Sequence, residues 1–111
     1  MSIKIFCDIA DLTHIKKFNK QKIVKGFTTN PSLIRKAGAK DYKSYSKKIL
    51  KVCSNKPISF EVFADDEKTM IDQGIKINSW GKNVFVKVPI VNSKNQFTGN
   101  VIKELNQKDI K

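Results

Sequence analysis

Hydrophobic positions along the chain switch repeatedly between two periods. Residues 3–9 (IKIFCDI), 23–29 (IVKGFTT), 58–64 (ISFEVFA) and 83–90 (NVFVKVPI) are short runs rich in β-branched and aromatic side chains, which predicts four strands. The segments between them change to helical spacing. Leu12, Ile15 and then Phe18 or Asn19 mark the inner side of a helix over residues 11–18. Pro31 suits the first turn of a short helix that runs to about Ala37 and is closed by Gly38. Asp41 can cap the next helix, which carries Tyr42, Tyr45, Ile49, Val52 and Cys53. Asp65, Asp66 and Glu67 complement the N-terminal dipole of a helix bearing Met70, Ile71 and Ile75, which ends near Trp80 and Gly81. A last helix over residues 97–106 turns Val101, Ile102 and Leu105 inward, and residues 108–111 begin a fifth strand.

Strands alternating with helices predict parallel strands joined by right-handed crossovers. Such sheets are covered on both faces or closed into a barrel. Side chains of a strand point to opposite faces in turn. Three strands have one uniformly apolar face: Ile3, Ile5, Cys7 and Ile9; then Ile58, Phe60 and Val62; then Val84, Val86, Val88 and Ile90. The opposite faces mix apolar residues with one ionisable group near the C-terminal end, respectively Asp8, Glu61 and Lys87. In the second strand Lys25 interrupts the alternation, yet Gly26, Thr28 and Asn30 share a side. Asp8, Thr28 with Asn30, Glu61 and Lys87 are therefore expected at one end of one face, where (β/α) barrels carry their active sites. A buried ion-pair network without chemistry is the plainer alternative, because Asp, Glu and Lys together offset one another's burial cost.

Length and charge narrow the picture. At 111 residues the chain is one domain or part of one. No apolar run approaches the roughly 18–20 residues that span a bilayer, so no membrane association is expected. The first residues carry Lys4 and strand-like side chains rather than a long apolar leader, which points to the cytoplasm. Cys7 and Cys53 match no metal spacing and read as free, packed thiols. The single histidine, His14, removes Ser-His triads and His-ligated metals and reads as a solvated helix residue. The net charge is +12, but 21 of the 22 basic residues are lysines in scattered positions and only Arg35 is arginine. Base readers lean on the planar arginine fork, so no nucleic-acid partner is expected and the lysines read as a solvated surface. Tyr42, Tyr45 and Trp80 read as cover for the sheet.

The clustered polar residues suit one chemistry. A desolvated lysine can lose its proton near neutral pH. Its free amine attacks a ketone and forms a Schiff base, which is an electron sink for cleavage of the adjacent carbon–carbon bond. Two carboxylates in different surroundings can divide the required proton transfers. Lys87, Asp8 and Glu61 fit this division of labour.

The same residues resemble the transaldolase family, in particular its short-chain members, which include the fructose-6-phosphate aldolases. Residues 5–11 (IFCDIAD) are similar to the family's first strand with its aspartate. Residues 26–32 (GFTTNPS) are close to the TTNPS segment after strand two, and residues 83–89 (NVFVKVP) to the strand-four motif around the Schiff-base lysine. The resemblance implies a (β/α)8 barrel of which residues 1–111 form the N-terminal half, with no second domain, no metal and no cofactor. It puts Lys87 on the lysine that holds a dihydroxyacetone unit as an imine. Asp8 falls on the acid/base, and Glu61 on the glutamate that serves imine formation with a threonine and a water. Asn30 and Thr28 fall in the substrate pocket, Asn30 on a residue that hydrogen-bonds the sugar hydroxyls.

The implied substrates are sugar phosphates: a ketose phosphate donor (sedoheptulose 7-phosphate or fructose 6-phosphate) and an aldose phosphate acceptor, in the pentose phosphate pathway. The full-length form is expected to be a homo-oligomer. Free cleavage of fructose 6-phosphate is the second enzymatic reading; family members acting that way tend to have glutamine where Glu61 stands. A non-catalytic half barrel and a basic nucleic-acid-binding domain are the readings outside enzymology. The family's threonine partner and its phosphate-binding Arg and Ser belong to the half with no counterpart here. A truncated product of low stability and little activity is therefore expected.

Overall fold

The computed structural model describes residues 4–111, so Ile3 of the predicted first strand lies outside the described residues. The elements follow the expected order: β1 (Ile5–Asp8), α1 (Leu12–Asn19), β2 (Val24–Thr28), α2 (Pro31–Lys36), α3 (Tyr42–Val52), β3 (Ile58–Glu61), α4 (Glu67–Asn78), β4 (Val84–Lys87) and α5 (Gly99–Gln107). All strand pairings are parallel and the spatial order is β1-β2-β3-β4, the same as the chain order. Each crossover therefore steps to the next position without reversing. That is the winding of a barrel rather than of a doubly wound sheet. The molecule is a four-stranded α/β half barrel of the TIM type.

Local chemistry sets the helix starts. Asp11, Asn30, Asp41 and Asp66 each accept a backbone N–H three residues on, satisfying donors that a first turn leaves unpaired. Gly38 has a φ of 95°, a left-handed conformation that lets the chain leave α2. The hydroxyls of Ser44 and Thr69 add second hydrogen bonds to the Asp41 and Asp66 caps.

The core lies between the sheet and its helices. Phe27, Ile58, Phe60, Val62 and Val84 from the strands meet Ile15, Ile34, Ile49, Met70, Ile77 and Val101 from the helices, all buried. Two inner faces differ from expectation. In α4 Ile77 is buried and Ile75 is exposed, because Gly74 lies on the inner side and α5 closes onto it through Leu105. In α5 Val101 and Leu105 point inward, whereas Ile102 is exposed. The irregular alternation of β2 also has a cause: its register with β1 slips by one residue at Lys25, between the pairs Ile5–Val24 and Phe6–Gly26, so that Val24 and Phe27 are both buried while Lys25 is exposed.

The sheet face opposite the helices has no covering layer among the described residues, and Phe6 and Phe85 are exposed on it. Beyond α5 the Lys111 carbonyl accepts a hydrogen bond from Val86 N–H at 2.7 Å, so the last residues run beside β4 as the beginning of a further strand would.

Candidate active site

Sheet register brings the expected polar residues together in two pairs. Asp8 and Thr28 are register partners, and Thr28 Oγ1 donates to Asp8 Oδ1 at 3.0 Å. Their row continues through Ser59 and Phe85. Two residues nearer the strand ends, Glu61 and Lys87 are partners on β3 and β4, and Lys87 Nζ lies 3.5 Å from Glu61 Oε2. The ladder continues past this pair, since Val62 N–H donates to the Lys87 carbonyl at 3.0 Å. Both carriers of charge therefore stand on hydrogen-bonded backbone.

Asn30 follows Thr28 by two residues in extended backbone, with φ −154° and ψ 167°. Its Oδ1 accepts from Leu33 N–H at 2.9 Å as the cap of α2. Asn30 and Glu61 line one cavity of about 390 Å³ at the strand ends, with Ser32, Asp65, Pro89 and Asn92.

The chain does not gather all its expected site residues in one enclosed space. β2 and β3 lie between Asp8 and Lys87. The Lys87 side chain is 45% exposed and that of Glu61 24%, and Asp8 is exposed. The expectation of a buried amine is corrected here: strand alternation puts Lys87 on the expected face, but nothing among the described residues covers that face. A half-exposed pair of this kind contributes at most about 1 kcal/mol to stability, which gives packing little reason to place it here.

Comparison with known proteins decides the family. The family model described as Transaldolase/Fructose-6-phosphate aldolase matches residues 5–111. The chain belongs to this family. A "Probable transaldolase" of Dehalococcoides mccartyi is 40% identical over 87 residues, covering 78% of this chain and 40% of that protein. One from Nitrosopumilus maritimus is 42% identical over 90 residues, covering 79% and 39% respectively. One from Thermoplasma volcanium is 36% identical over 110 residues, covering 97% and 47%. The chain thus spans less than half the length of these transaldolase relatives. No helix among the described residues is long and apolar enough to cross a membrane.

Within this transaldolase/aldolase framework, several supports of the strand ends were not legible beforehand. Tyr42 packs against Phe60, Phe63 and Trp80, and its hydroxyl donates to the Glu61 carbonyl at 3.0 Å. Burial pushes its phenol well above the ordinary tyrosine value, and the nearby Glu61 carboxylate pushes the same way against the opposing hydrogen bond. Gln73 Oε1 accepts from both Phe63 N–H and Ala64 N–H at 2.9 Å, fixing the chain as it leaves β3. Asp65 accepts from Ser93 N–H at 2.9 Å and from Ser93 Oγ at 2.5 Å, which joins the loop after β3 to the loop after β4. Those bonds hold the Asp65 carboxyl below the usual carboxylate range. Only the tyrosine offered any signal in the sequence, through its place on the inner stripe of α3.

Proposed function

We propose that this chain carries the lysine-bearing half of a transaldolase that works in the cytoplasm through a Schiff base. On this reading residues 1–111 are the N-terminal half of a (β/α)8 barrel, whose full-length form is a homo-oligomer. Lys87 Nζ attacks the carbonyl of a ketose phosphate, and the adduct loses water to give an iminium. Glu61 stands beside the amine and serves the proton transfers of that step. Asp8 takes the proton from the hydroxyl at the bond that breaks, and the aldose phosphate departs. The remaining dihydroxyacetone unit stays on Lys87 and attacks an acceptor aldose phosphate by the reverse steps. Thr28 orients Asp8 through its hydrogen bond, and Asn30 offers its amide N–H groups to sugar hydroxyls.

The observation that carries the reading is the cross-strand contact of Lys87 with Glu61, in a chain of the Transaldolase/Fructose-6-phosphate aldolase family. On this reading the rest of the full-length form covers the open face and supplies the desolvation that frees a lysine amine for attack. Borohydride reduction in the presence of fructose 6-phosphate, followed by peptide mapping, tests the site. The expected adduct is on Lys87 in the full-length form and is lost in Lys87→Met. An adduct on another lysine refutes the assignment. Product analysis with and without an aldose phosphate acceptor then separates transfer from free aldol cleavage, with Glu61 favouring transfer.

A further inference from the structure

Charge is divided unevenly between the two ends of the fold. The first seven of the ten carboxylates, Asp8 through Glu67, all lie at the C-terminal ends of strands or at helix starts. No Asp or Glu occurs in residues 42–60 or 73–103. The opposite end of the sheet, built from last helical turns and the loops leading into strands, carries lysines around α3 and the α4–β4 turn, and among its turns a carboxylate stands only at Asp109, after α5.

At that end α3 and the α4–β4 turn bound a groove of about 610 Å³ lined by Lys47, Lys48, Lys51, Lys82, Trp80 and Ser54. The four lysines are exposed, form no ion pair among the described residues, and share the groove with no carboxylate. Favourable interaction with the helix dipole accounts for Lys51, in the last turn of α3, and not for the others. Lys43, Lys47 and Lys51 recur at four-residue spacing, where like charges weaken a helix unless an anion relieves them. Trp80 gives the groove a rigid apolar wall, held in place by Tyr42 and by an edge contact with Phe60. The volume matches small-ligand sites of roughly 300–1,000 Å³ rather than an extended polymer track.

We propose that this groove binds a compact anion of at least two linked phosphates, with the four ammonium groups as counter-charges and Trp80 along its flank. Lysine suits that ligand, because it meets phosphate as a point charge without needing the fixed fork of arginine. The site is at the far end of the strands from Lys87 and does not depend on the aldol reading.

Trp80 is the only tryptophan, so its emission reports on the groove. Titration with sodium tripolyphosphate at constant ionic strength is expected to give a saturable change, with one equivalent bound by calorimetry. Lys47→Gln with Lys51→Gln should weaken binding about tenfold, by removing two charge-assisted contacts. Lys94→Gln with Lys103→Gln, away from the groove, should leave it unchanged. Circular dichroism of each variant checks the fold. Protection of Lys47, Lys48, Lys51 and Lys82 from acetylation by tripolyphosphate, with Lys94 and Lys103 unprotected, reads the same site in the parent chain. A parallel titration with ATP separates the sources: binding as tight as tripolyphosphate's identifies a nucleoside polyphosphate, weaker binding an inorganic one. The proposal is overturned by an equal response to sulfate or by uniform protection of all lysines. Equal weakening in both double variants, or a single-stranded oligonucleotide displacing tripolyphosphate at equal phosphate concentration, would also overturn it.

Discussion

Gly26→Ala tests how tightly the sheet is built beneath the candidate site. A Cβ at position 26 would lie 2.5 Å from Phe6 Cε2, 2.8 Å from Phe6 Cδ2 and 2.7 Å from the Pro57 carbonyl oxygen. The exposed Phe6 ring can swing away. The carbonyl cannot, because it accepts from Phe27 N–H at 2.9 Å and so ties β2 to the start of β3. Only two residue pairs, Phe27 with Ile58 and Thr28 with Ser59, register those strands. Overpacking of this kind costs about 1–3 kcal/mol, and a weakened backbone hydrogen bond adds about 1 kcal/mol. A total of about 2–4 kcal/mol is a large share of the roughly 5–15 kcal/mol that holds a small domain. Urea unfolding, followed by Trp80 emission and by circular dichroism, measures it. In a Phe6→Ala background the ring is gone and the carbonyl remains, so Gly26→Ala should still cost about 1 kcal/mol or more. A cost within about 0.5 kcal/mol of zero in the parent chain would refute the reasoning. Complete rescue by Phe6→Ala would assign the whole effect to the ring and refute the role of the carbonyl.

Three other outcomes follow from the same structure. Tyr42→Phe removes the hydrogen bond to the Glu61 carbonyl and should cost about 1 kcal/mol in the same assay. Because the folded phenol is raised above its ordinary value of 10.0, its contribution is complete below that pH and is lost as pH rises beyond it. Tyr42→Phe should therefore blunt alkaline unfolding in a pH series. The Asp41, Asp65 and Asp66 carboxyls are held below their ordinary value of 3.8 by hydrogen bonds to Ser44, Ser93 and Thr69. Their stabilisation is present above that pH and is lost as pH falls below it, so Asp66→Ala should lower the melting temperature at neutral pH and flatten the acid limb. Phe60→Ala opens a cavity at a fully buried ring and should cost about 3–5 kcal/mol, read as a sharp drop in the urea midpoint.

What could be read in advance depended on which interactions are local. Asp41 caps a helix through a backbone N–H only three residues away, and strand alternation sorts Asp8, Glu61 and Lys87 onto one face without tertiary information. The inner side of α4 is not legible from apolar spacing, because its contact residue is Gly74, which has no apolar side chain to count. The tie between Asp65 and Ser93 spans 28 residues and depends on two loops meeting, which periodicity does not encode. The exposure of Lys87 escaped for a different reason. Alternation tells which side of a sheet a residue occupies and says nothing of what lies above it.

The pairing of Glu61 with Lys87 has a consequence for how such a protein can vary. Adjacent strands keep a spacing of roughly 4.8 Å wherever they are hydrogen-bonded, so the separation of these two residues is dictated by backbone repeat rather than by any connecting segment. Insertions after β3 or β4 can reshape the rim while the amine and its carboxylate stay in step. A slip of one residue between β3 and β4 would turn one of them to the opposite side, so drift in the rim is tolerated where drift in the ladder is not.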